Sequence, residues 1–119
     1  MRRIFLLAIL FLFSVSVVQA ATISKVAFER GGFIYVKDMK TGVEKRIAKG
    51  SYPSISTDGT RVAYSHDGVA SNKEMTREIR MVELNTGTVV EFASLKKFLC
   101  YGAVWSPDSK KLALSLFKD

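Results

Sequence analysis

Few residues in this chain of 119 could do covalent or acid–base chemistry. His66, the one histidine, precedes Asp67, an order that could set a base beside an orienting carboxylate. Cys100, the one cysteine, could supply a thiolate, and Asp58 and Asp108 could form a carboxylate pair. Their neighbours give each a plainer role. No serine or cysteine nucleophile motif accompanies His66, and His66-Asp67-Gly68 reads as a turn. Asp58-Gly59 and Pro107-Asp108 are tight-turn pairs in which the carboxylate bonds its own backbone. Cys100 lies between Leu99 and Tyr101 and reads as a small buried hydrophobe, the alternative being a thiol paired with another chain. One cysteine forbids an internal disulfide, and one histidine forbids a histidine cluster for zinc. The chain is therefore expected to be no enzyme and to hold no metal or cofactor.

The elements that position these residues are short and strand-like. Apolar and β-branched runs at 25–28, 33–37, 43–47, 52–56, 61–65, 79–84, 88–92, 102–106 and 111–116 are separated by turn pairs such as Gly31-Gly32, Thr41-Gly42, Asp58-Gly59 and Thr86-Gly87. Met75, Ile79 and Val82 also have helical spacing, so 73–84 is ambiguous until the chain is compared with itself. Two patterns recur. Ser56-Thr57-Asp58-Gly59-Thr60-Arg61-Val62-Ala63-Tyr64-Ser65 returns as Ser106-Pro107-Asp108-Ser109-Lys110-Lys111-Leu112-Ala113-Leu114-Ser115, and the stretch from Ile34 to Gly42 returns from Ile79 to Gly87. The second match assigns the later half of the ambiguous segment to a strand. A period of this size signals a propeller or solenoid.

The repeated unit, with Trp105-Ser106-Pro107-Asp108 as its nearest copy and Ile55-Ser56-Thr57-Asp58 as its weaker one, resembles the WD-type β-propeller repeat of the periplasmic TolB-like family. It also resembles the propeller domains of prolyl-oligopeptidase-like peptidases. The resemblance implies an all-β fold of antiparallel four-stranded meander blades, strands a to d, in a partial β-propeller. The chain then reads b, c, d; a, b, c, d; a, b. Such a piece of about two blades is expected to be the first part of a longer propeller, with Trp105 packed between blades. Under the peptidase alternative the catalytic domain, marked by a Gly-x-Ser-x-Gly elbow, lies outside the chain.

Residues 1–20 stand apart. Arg2 and Arg3, the apolar run 4–18 and Val18-Gln19-Ala20 read as a signal-peptide helix cleaved after Ala20, leaving 21–119 as the partial propeller in the periplasm or secreted. The competing reading is an uncleaved anchor, which the run's length and Ser14 and Ser16 disfavour. No stable membrane insertion is expected after cleavage. The remaining 99 residues carry 16 basic and 11 acidic side chains, a scattered excess of about +5 that suits acidic protein partners rather than nucleic acid.

Loop lengths locate a candidate partner site. Ile34 to Gly42 and Ile79 to Gly87 both span 8 residues, so the c–d hairpins are constant; Ser56 to Val62 and Ser106 to Leu112 both span 6, so the a–b hairpins are too. Phe28 to Ile34 spans 6 but Tyr64 to Ile79 spans 15, and Gly42 to Ser56 spans 14 but Gly87 to Ser106 spans 19. The extra length falls in the b–c and d–a connections, which emerge at one end of a meander. Lys73, Arg77, Lys96, Lys97 and an exposed Phe98 lie there and suit an acidic protein partner with one apolar anchor, the competing reading being ordinary solvated loops. Uncovered outer blades are expected to expose apolar faces and to drive self-association.

Overall fold

The computed structural model describes residues 24–118, so the signal-peptide reading of 1–20 lies outside the described residues. The chain is nearly all strand: β1 Lys25–Arg30, β2 Phe33–Asp38, β3 Glu44–Lys49, β4 Ser51–Ile55, β5 Arg61–Val69, β6 Met75–Glu83, β7 Val89–Glu91, β8 Leu99–Trp105 and β9 Leu112–Phe117. A single 3₁₀ turn, Ala93–Leu95, is the one helical element among them. Among the described residues no helix is long and apolar enough to cross a membrane. The expected all-β, antiparallel character holds, and the ambiguous segment is strand because Met75 to Glu83 pairs along its whole length with β5.

The first sheet is the meander β1-β2-β3. The second is the four-stranded meander β4-β5-β6-β7, and the β8–β9 hairpin follows it. The expected boundary between these last two is softened. A single parallel pair, Arg77 with Leu99, joins β8 to the edge of β6 that β7 leaves open, making six continuous strands.

Backbone bonds reproduce the repeat. The Met39 N–H donates to the Ser24 carbonyl at 2.8 Å, and the Leu84 N–H to the Thr60 carbonyl at 2.8 Å. Gly42 bonds back to Asp38 and Gly87 to Glu83, each at 2.8 Å. β1 and β5 are thus equivalent, as are the two c–d hairpins. The central sheet is buried on both faces, which explains why β5 runs Val62-Ala63-Tyr64-Ser65 without a surface residue. Val62, Tyr64 and Val82 meet Ile34 and Val36 of the first sheet. Ala63 and Ile79 meet Cys100 and Ala103, backed by Trp105, Leu112 and Leu114 of the hairpin beyond. Each interface excludes charge from its centre, so burial of these side chains is the main force holding sheet to sheet.

Candidate functional site

The acid–base candidates resolve first. Consecutive strand residues point to opposite faces, so His66 and Asp67 in β5 diverge. Asp67 gives both carboxylate oxygens to Arg77, at 2.7 and 2.8 Å from Nε and Nη2. That fork holds the Asp67 carboxyl below its ordinary range and raises the Arg77 guanidinium. His66 Nδ1 lies 3.5 Å from the Lys49 carbonyl, a marginal contact.

Asp58 and Asp108 sit in the two a–b hairpins and share the same serine and backbone bonds, Asp58 accepting one more from the Thr60 hydroxyl. Ser56 Oγ donates to Asp58 Oδ1 at 2.6 Å and accepts from the Arg61 N–H at 3.0 Å; Ser106 Oγ donates to Asp108 Oδ1 at 2.6 Å and accepts from the Lys111 N–H at 2.9 Å. Hydrogen bonds from Ser56 and Thr60 hold the Asp58 carboxyl down at about 2. The turns also meet each other, since the Asp58 N–H donates to Ser109 Oγ at 3.0 Å. Trp105 packs between sheets as expected, its Nε1–H donating to the Ser54 carbonyl at 2.8 Å. Cys100 is fully buried, and burial pushes its thiol up. Among the described residues no three His, Cys, Asp or Glu side chains converge into a metal-ligating group.

The two insertions do meet at one end of the fold, but not as two loops. The b–c insertion extends β5 and β6 into a hairpin arm, paired from Arg61 with Glu83 out to Val69 with Met75. The d–a insertion carries the 3₁₀ turn and leads into β8. Between them lies a groove of about 320 Å³ whose lining sets Met75, Phe98 and Phe117 among Lys96, Lys97 and Lys118, with Glu74 as its one carboxylate. A larger crevice, about 460 Å³, opens between the first two sheets over Val36, Ile47, Val82 and Leu84, and is the outer end of their shared core.

The five expected partner residues divide. Lys96, Lys97 and Phe98 line the groove; Lys73, with φ of 66°, stands at the exposed tip of the arm. Arg77 is no free cation. Its side chain is 18% exposed, forked to Asp67 and laid 4.8 Å from the centre of the Tyr101 ring, so it stiffens the arm. Lys96 pairs with Glu91 at 3.3 Å. Phe98 is half-buried rather than exposed, because it packs against the Cys100 cluster while Lys97 Nζ lies 5.3 Å from its ring centre. Val69 and Met75, a cross-strand pair 73% and 58% exposed, were missed from the sequence. The signal was their place inside the insertion, where the repeat demands no apolar residue.

No protein-family model and no curated protein matches the chain. Among solved structures it is similar to the crystal structure of TolB from Acinetobacter baumannii, at 26% identity and a TM-score of 0.55 over 76% of this chain. The chain spans 23% of the length of that structure.

Proposed function

With a TolB-like fold as its frame, we propose that this chain is a β-propeller segment that acts without catalysis as an exported, periplasmic protein-interaction scaffold. The observation that carries the reading is the convergence of both insertions on one groove. A rigid arm and a short 3₁₀ segment flank it, and rigid elements present a binding surface at lower entropic cost than free loops. Lys97 and Lys118 outnumber Glu74 in the groove and Lys73 adds charge at the arm's tip, while Met75 and the edge of Phe98 supply apolar anchors, with Val69 paired beside Met75. The partner is accordingly a protein segment with an apolar residue set among carboxylates, such as an acidic envelope protein would offer. The outer face of the β8–β9 hairpin, where Val104 and Phe117 are 61% and 57% exposed, is the surface through which uncovered strands self-associate.

A photo-cross-linking residue at Met75 tests the groove in exported material. Capture of one discrete protein, lost in a V69D/K97E variant of otherwise unchanged circular dichroism, is the expected result; capture indifferent to that variant refutes it. N-terminal sequencing of the same material is expected to begin at Ala21, and an intact Met1 refutes export with cleavage.

A further inference from the structure

Sheet one has two unlike faces. One buries Ile34 and Val36 against the second sheet. Strand register lays out the other as rows across three strands: Phe28, Tyr35 and Arg46, then Arg30, Phe33 and Lys49. A third row, Val26, Lys37 and Glu44, completes it. Four cations and one carboxylate thus share this face with three aromatic rings. Sequence reasoning expects an outermost blade to expose an apolar face; on this sheet the outer face is mixed, with Val26 and three rings set among the charges that strand alternation places there.

The rings are not bare. The Arg30 guanidinium carbon lies 4.3 Å from the centre of the Tyr35 ring and 5.5 Å from that of Phe28, which stacks on Tyr35 at 5.7 Å. Arg46 lies 4.6 Å from the centre of the Phe33 ring. A guanidinium resting on a ring can still present N–H donors from its edge to a carboxylate. Arg30 takes one carboxylate in this way, through a single contact of 3.1 Å from its Nη2 to Glu44 Oε2, with its side chain 57% exposed. Packing an apolar sheet here would strip water from four cations with one carboxylate to compensate them. Stacking a base or sugar ring would require the guanidiniums to leave the rings they cover.

We propose that the outer face of the first sheet docks an acidic protein segment, whose carboxylates are taken by Arg30 and Arg46 over the Phe28, Phe33 and Tyr35 rings. This surface is separate from the groove beside the hairpin arm, and either can fail without the other. The test uses the whole chain and a fluorescein-labelled oligoglutamate, read by fluorescence anisotropy, with carbodiimide coupling and mass spectrometry to place the peptide. Coupling is expected at Lys37 and Lys49. An R30K/R46K variant keeps the charge but loses the planar fork, and is expected to weaken binding about fivefold or more. K111Q, remote from the face, is expected to leave it unchanged. Absent binding, an affinity indifferent to R30K/R46K, or coupling confined to Lys73, Lys96 and Lys97 overturns the proposal. So does an oligothymidylate that binds more tightly than oligoglutamate with the same arginine dependence.

Discussion

Ser109 occupies the position that Gly59 holds in the other copy of the turn, and both are left-handed, at φ of 61° and 72°. A side chain pays about 1 kcal/mol for that conformation relative to glycine. Ser109 is nevertheless 5% exposed, and its Oγ accepts the Asp58 N–H at 3.0 Å, tying the β8–β9 turn to the β4–β5 turn. A neutral hydrogen bond of this kind contributes about 0.5–1.5 kcal/mol. Ser109→Ala keeps the backbone penalty and loses the bond, so it should destabilise by about 1 kcal/mol. Ser109→Gly loses the same bond but also sheds the penalty, and should fall close to the parent. Gly59→Ala adds the penalty alone, because a Cβ there would meet nothing nearer than Lys25 Cδ at 4.0 Å; its expected cost is also about 1 kcal/mol. Urea unfolding followed by Trp105 fluorescence reads all three, with midpoint losses of roughly 0.5–1 M for the two alanine variants. A Ser109→Gly variant as unstable as Ser109→Ala would refute the backbone share of the reasoning, and an unaffected Ser109→Ala would refute the bond's share.

Three further outcomes are expected. Gly50→Ala should be the most disruptive small change, since its Cβ would collide with the Ser65 carbonyl and come within 2.7 Å of Tyr64 Cδ2; a loss of about 3 kcal/mol in urea melts is expected, and under 1 kcal/mol would count against that close approach. Acid should weaken the fold through Asp58: its folded pKa of about 2 is below the ordinary 3.8, so the stability it contributes is present above pH 3.8 and is lost as pH falls through about 2. Asp58→Asn should flatten that part of the pH dependence of urea midpoints, and an unchanged slope would exclude the linkage. Cys100, buried with its thiol raised, should react with a thiol reagent at the rate of opening rather than of encounter; immediate labelling of folded protein would contradict its burial.

The sequence by itself determined the strands and turns, because both rest on local chemistry. Alternation at Ile34, Tyr35 and Val36, the Ser-x-Asp turns and the internal repeat each act within a few residues, and the repeat overrode the helical spacing of Met75, Ile79 and Val82. It also determined that the insertions would share one end, which follows from meander connectivity. Tertiary structure alone decided what those insertions became. Whether the residues between Tyr64 and Ile79 form a loop or an arm depends on pairing across the hairpin, from Val69 with Met75 inward, and pairing is a property of two segments at once. The same holds for the charges. Arg77 and Lys96 look alike as free cations in sequence, but a carboxylate ten residues earlier claims the first and Glu91 partly claims the second. Arg30 and Arg46, unremarkable along the chain, become one surface because register sets them on the same face as three rings. Position in sequence fixes a side chain's chemistry; what that chemistry meets is fixed by the strands that lie beside it.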